Sequence, residues 1–365
     1  MSIPQAVVAQ DHLTPPSSFT DEPLTPPLTD KRPFDTALRV IELFRQIQAG
    51  RNPDQGTLVE FQLGQAGYDA LESALEQDHV LSGYVKDKIR YDYDGDKGQL
   101  VVRMPTGVHE VFIDRVEDEI RSQLKAIRSG TGRKAQFAQK VQPARSTEIR
   151  FPTSASSSKS KYEPDASFWH DDTQYPGVII EVSYSQNKKR LGRLAENYLI
   201  DSDANVRAVV GLDIVYGEKG SRKATLSIWR PRLFDTADGP ELRTVQEVKD
   251  EAFRDDDGNP TNHPGLRLRL SDFAFEELAR REMGDEDVEI SISGIQLCKY
   301  LVAAERKVRR AQSLLSCSSA PEVKKRKRSE TPPEEITSGD EARYVADEER
   351  AAKRTLSHDD DYIDS

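Results

Sequence analysis

Residues 164–186 read PDASFWHDDTQYPGVIIEVSYSQ, and the order of polar and apolar residues in this stretch decides the fold. Residues 164–170 fit one strand. Residues 177–184 fit a second, an apolar run interrupted by Glu181. A helix is predicted over 188–201, with Leu191, Leu194, Ala195, Tyr198 and Leu199 turned inward and Lys188, Lys189 and Arg193 outward. Residues 206–215 (VRAVVGLDIV) form a nearly continuous apolar run, as expected of a central strand covered on both faces. Residues 223–230 (KATLSIWR) alternate and add a further strand. Strand, helix and strand within about 40 residues make a βαβ unit, for which a right-handed crossover is expected.

Working outward, residues 87–93 and 99–104 alternate on either side of Asp94-Gly95-Asp96-Lys97-Gly98, a β-hairpin signal. A helix follows over 108–128, its apolar stripe running through Phe112, Val116, Ile120 and Leu124. Upstream, helices are predicted over 34–50 and 64–77, the first with Phe34 and Leu38 in its apolar pattern. Downstream, 250–264 is turn-rich, 265–271 is a weaker strand, and helices are predicted over 272–281 and 293–315. Residues 154–161 (SASSSKSK) read as a flexible loop. Trp169 and Trp229 read as core aromatics.

The net charge of −11 belongs to the tails. Residues 1–30 carry −4 and residues 330–365 carry −8, which leaves +1 for 31–329. Both tails are too polar to repay the entropy of ordering and are expected to be disordered. The run Lys324-Lys325-Arg326-Lys327-Arg328 reads as a nuclear-import signal, with an import receptor as partner. Cys298 and Cys317 lack metal-type spacing, and two cysteines cannot form a disulfide framework. No apolar run approaches the roughly 18 residues of a membrane helix, so no membrane partner is expected. No P-loop, dinucleotide fingerprint, zinc motif or serine-hydrolase elbow occurs. The expected setting is intracellular and nuclear.

If the two strands of 164–184 pair, Asp165 and Glu181 project from neighbouring strands toward one point. Two such carboxylates bind a hard divalent cation, which lowers the pKa of a bound water and steadies charge building on phosphorus. Other roles stay open: Asp165 in a turn cap, the basic residues of 188–193 as a solvated helix face, His109 as a helix cap or surface residue. Glu148 is a further candidate ligand.

With its flanks, this block resembles the core of the PD-(D/E)XK, restriction-endonuclease-like superfamily. The resemblance is narrower to a subgroup of such domains found in filamentous fungi. It spans roughly 85–235: the hairpin, Met104-Pro105-Thr106-Gly107-Val108-His109-Glu110 opening a helix, the "PD" strand, the "EVS" strand, and the helix carrying Tyr198. It implies an α/β fold, a mixed β-sheet flanked by helices; outside it, periodicity and composition add helical N- and C-terminal additions at 33–80 and 236–315 and disordered tails at 1–32 and 316–365. The nuclease-like domain itself would occupy 81–235. It implies Asp165 and Glu181 as ligands of Mg²⁺ or Mn²⁺, and hydrolysis of DNA. The family's lysine position holds Ser183, and its alternative place on the following helix holds Leu194. Lys189 or Arg193 is then expected to reach the site from that helix. The competing expectation is a catalytically inactive descendant that binds nucleic acid or protein as a scaffold.

Overall fold

A computed structural model describes residues 33–51, 58–152, 159–184, 188–215 and 220–316. The tail readings, including 324–328, lie outside these residues. The described residues up to Ala311 form one compact unit.

The chain enters through α1 (Pro33–Gln48), whose Val40, Ile41 and Phe44 recur at helical spacing and are buried. Phe34 and Leu38, which the periodicity placed inward, are exposed. Next come β1 (Leu58–Gln62), α2 (Gln65–Gln77) and α3 (His79–Lys88). Asp78 ends one helix and caps the next, accepting the Leu81 N–H at 3.0 Å. The lead-in at 33–80 is therefore not wholly helical. The hairpin is β2 (Arg90–Asp94) and β3 (Gln99–Arg103). Its loop closes on Gly98 at φ +57°, a left-handed position where a side chain is strained. Then α4 (Gly107–Arg128) is capped by Thr106, and α5 (Arg133–Gln139) follows.

β4 (Val141–Pro143), β5 (Ile149–Pro152) and β6 (Lys159–Tyr162) are short. The last replaces part of the loop expected over 154–161. Its Tyr162 is buried and Lys161 lies over the Tyr91 ring, contacts too distant in sequence to read from composition. β7 (Ala166–His170), β8 (Val178–Tyr184), α6 (Lys188–Asp201) and β9 (Ala208–Ile214) realise the βαβ pattern. β10 (Ala224–Thr236) turns back into β11 (Gly239–Arg254). β12 (Leu266–Arg269), a 3₁₀ turn at Leu270–Phe273, α7 (Glu276–Met283), β13 (Glu289–Ile292) and α8 (Gly294–Ser316) complete the described chain.

The chain is a mixed α/β protein with two main sheets. One runs β1-β3-β2-β6-β5; the other runs β11-β10-β9-β8-β7-β4; β12 and β13 pair separately. β8 and β9 are parallel, joined through α6, and β7 lies antiparallel to β8. The expected helical addition at 236–315 begins instead as β11, which pairs with β10 along most of its length. Its charged residues break any apolar alternation because β11 is the sheet's edge strand. Among the described residues no helix is long and apolar enough to cross a membrane.

The pleat of β8 places the site. Val178, Ile180 and Val182 enter the core shared with α4, α7 and α8. Ile179 enters the core under α6. Alternation then turns Glu181 toward α6 and the hairpin. Gly177, just before β8, admits the 3₁₀ turn: an added Cβ would lie 2.3 Å from the Phe273 carbonyl carbon.

Candidate functional site

The pairing Ala166↔Ile180 fixes the meeting of the two predicted carboxylates, because one step back along β7 brings Asp165 opposite Glu181. Both are buried, at 6% and 3% exposure. The Val182 N–H donates to Asp165 Oδ2 at 2.8 Å, and the Tyr198 hydroxyl donates to Glu181 Oε1 at 2.8 Å. The inward face of α6 thus carries one partner of Glu181.

The other partner comes from the hairpin. Arg103 Nη1 donates to Asp165 Oδ1 at 3.2 Å and to Glu181 Oε2 at 3.1 Å. A guanidinium therefore bridges the two carboxylates. Its Nε lies 3.3 Å from Asp92 Oδ2, and its Nη2 donates to Asp92 Oδ1. Arg190 on α6 also donates to Asp92, at 2.6 Å, and Arg90 reaches both Asp165 and Glu110. His109 Nε2 stands 2.9 Å from Asp165 Oδ2. Asp92, Glu110, Asp165 and Glu181 face Arg90, Arg103, His109 and Arg190: four acids against four bases. Each of these groups has at least one partner of the opposite kind within the ladder, as burial requires.

Burial pulls the Arg103 guanidinium down, but Asp92, Glu181 and Asp165 outweigh it and keep it charged. Burial also pushes Asp165 up, and His109 and Arg103 overcome this and hold its carboxyl well below the usual range. Glu181 moves the other way. Burial and the Asp165 charge push it up, to about 8. One carboxylate is fixed as an anion, and its neighbour holds a proton more readily.

Burial would lower the His109 imidazole, but the Asp165 charge and hydrogen bond raise it to about 9. A histidine raised on folding stabilises fully below its unfolded pKa of about 6.5, and that stability is lost as pH rises through about 9. The contribution is on the order of 3 kcal/mol. Stability to urea is expected to fall across that interval in the wild type. His109→Gln is expected to flatten the slope between about pH 7 and 9. An unchanged slope would show that the imidazole does not carry this linkage.

The chain matches no family model and no curated protein.

Other predicted residues fall elsewhere. Ser183, where the resemblance would place a lysine, donates its hydroxyl to Asp213 Oδ1 at 2.7 Å. Leu194 is buried and walls a cavity of about 70 Å³ beside the ladder, with Leu58, Met104, Pro105 and Leu191. Arg190 lines that cavity; Arg193 is exposed and borders a different depression, with Glu196 and Trp229. The side chain of Lys189 lies outside the described part. Glu148 is exposed and pairs with Arg150 and Lys161, away from Asp165. Trp229 is a core residue, whereas Trp169 is half-buried.

Sequence reading missed Arg90, Asp92, Arg103 and Arg190, and undervalued His109. The alternation of 87–93 marks a hairpin strand but assigns no role to the charges of Arg90 and Asp92. The signal present was Asp92 between Tyr91 and Tyr93 in a strand buried at all three central positions. His109 looked like a cap, but the capping side chain is Thr106, which accepts the His109 N–H and leaves the imidazole free to turn inward.

Proposed function

We propose that this chain is a restriction-endonuclease-like fold of the PD-(D/E)XK type whose cation position is filled by its own Arg103, and that it acts as an interaction module without nuclease activity. The observation that carries this reading is the single Arg103 nitrogen within 3.2 Å of Asp165 and 3.1 Å of Glu181. A divalent ion held by both carboxylates would compete with that guanidinium for the same oxygens. The nucleases that the sequence resembles use an amine to orient the attacking water. Here Ser183 offers a hydroxyl already given to Asp213, and Leu194 offers none. Arginine cannot act as a base near neutral pH. The adjoining groove of about 890 Å³ is lined by six acids (Glu72, Glu76, Asp87, Glu110, Glu148, Glu163) against five bases (Lys86, Lys88, Arg90, Arg150, Lys161). Such a lining supplies no positive field to gather a phosphate backbone.

A second reading, a Mg²⁺- or Mn²⁺-dependent DNA nuclease, is favoured by one feature. Asp92 already lies beside the same guanidinium, 3.3 Å from Nε and from Nη2, so the whole Arg103 head can tilt away from Asp165 and Glu181 toward Asp92 without stranding its charge. Incubation of the full chain with plasmid DNA and Mg²⁺ or Mn²⁺ separates the two. Intact plasmid is expected. Cutting that disappears in Glu181→Gln would overturn the first reading and establish the second.

A further inference from the structure

The far end of β7 gathers a second set of ligand-type side chains. Asp165 precedes the strand and His170 ends it, five residues on, which is roughly 16 Å at 3.3 Å per residue. His170 is 1% exposed. Its Nε2 is buried without a hydrogen-bond partner and stands 3.5 Å from Glu282 Oε2, on α7. Asp172 lies in the turn after the strand. One ligand atom from each of His170, Asp172 and Glu282 falls within 4.8 Å of the others. Lys140, at the end of α5, places its Nζ 2.8 Å from Asp172 Oδ2 and 2.9 Å from Glu282 Oε1. An ammonium thus stands where the two carboxylates converge, beside a buried imidazole with no bond of its own at Nε2.

We propose that His170, Asp172 and Glu282 form a zinc-binding site, with Lys140 as the displaceable cation that neutralises the two carboxylates in the metal-free protein. One imidazole and two carboxylates suit Zn²⁺ better than Mg²⁺ or Ca²⁺, which prefer oxygen throughout. A 3.5 Å separation of Nε2 and Oε2 is close to the spacing of neighbouring ligands around a tetrahedral ion with bonds near 2.1 Å. Nδ1 accepts the Asp172 N–H at 3.2 Å, so the ring proton lies on Nε2. Zinc at Nε2 moves that proton to Nδ1, and the Asp172 amide turns to water in an exposed turn. The Lys140 side chain is 39% exposed and swings out without leaving a buried charge. The ion would tie α7 to the end of β7 and keep a coordination position open to solvent.

Calorimetric titration of the full chain with Zn²⁺, repeated with Co²⁺ to read its visible absorption, tests the assignment. One equivalent is expected to bind. Asp172→Asn is expected to weaken binding roughly tenfold or more, and Lys140→Met to tighten it by a similar factor. Glu181→Gln is expected to leave zinc affinity unchanged, which separates this site from the Asp165–Glu181 pair. Absence of one-equivalent binding in both wild type and Lys140→Met would overturn the proposal. So would Asp172→Asn with wild-type affinity, or a loss of binding in Glu181→Gln.

Discussion

Glu305→Ala is expected to destabilise the protein by about 3–5 kcal/mol, the cost of removing one partner from a buried ion pair. Arg254, at the end of β11, is 1% exposed, and its Nη1 donates to Glu305 Oε1 at 2.6 Å. Arg222 holds the other oxygen at 2.7 Å. Alanine leaves the Arg254 guanidinium inside the protein with its charge unmatched. Arg222 is 42% exposed, so water replaces most of what it loses. The loss therefore lies in the Arg254 contact, while the apolar residues of α8, Leu297, Leu301 and Ala304, stay in the core. For a chain of this size the melting temperature is expected to drop on the order of 10 °C. Urea unfolding of Glu305→Ala beside Arg254→Met/Glu305→Leu checks the cause. The double variant buries no lone charge and is expected to recover most of the loss. Equal destabilisation in both would place the effect in packing.

Arg103→Ala carries the second large effect. It removes a guanidinium that touches Asp92, Asp165 and Glu181, all at most 6% exposed. Asp165 then keeps Arg90, His109 and the Val182 N–H, while Glu181 keeps the Tyr198 hydroxyl and loses the guanidinium that separated it from the Asp165 charge. The expected cost is again about 3–5 kcal/mol near neutral pH. Acid relieves it. Glu181 is already pushed up to about 8 by burial and by Asp165, and without Arg103 it rises further. A carboxyl raised on folding costs stability wherever the unfolded chain is ionised, so Arg103→Ala is expected to regain stability as pH falls toward its unfolded pKa of about 4.3. Urea midpoints at pH 5 and pH 8 read this directly. A deficit independent of pH would mean that Glu181 keeps its proton balance without Arg103.

The parts of the fold legible in the sequence are those fixed by local period. The run Val178–Tyr184, the α6 stripe of Leu191, Leu194, Ala195, Tyr198 and Leu199, and the apolar strand Ala208–Ile214 stand where pattern places them, because burial on known faces leaves few alternatives. Asp165 and Glu181 meet for the same reason: register across two neighbouring strands fixes them. The basic half of the site was not legible. Arg103 and Arg90 lie more than sixty residues before Asp165 and reach it only because two separate sheets bring the hairpin against β7 and β8. Local periodicity carries no record of which sheet will cover a given face. β11 escaped reading for the opposite reason. An edge strand meets water along one side, so the charges of Glu247, Lys249 and Glu251 hide the strand period, and 236–315 is expected to be a helical addition. Arg193 was preferred over Arg190 on α6, yet Arg190 lines the cavity with Leu191 and Leu194 while Arg193 is exposed.

The assignment of Arg103 to the place of a divalent cation is tested most directly by thermal unfolding in rising Mn²⁺, for wild type, Glu181→Gln, Arg103→Ala and Arg103→Ala/Glu181→Gln. An ion that binds only the folded state adds about 2.7 kcal/mol at a hundred times its Kd. Mn²⁺ is expected to leave the wild type unmoved, to restore the melting temperature of Arg103→Ala, and to lose that effect when Glu181 is also changed. Stabilisation of the wild type by Mn²⁺ that vanishes in Glu181→Gln, with no greater response in Arg103→Ala, would contradict the assignment and return the carboxylate pair to the metal.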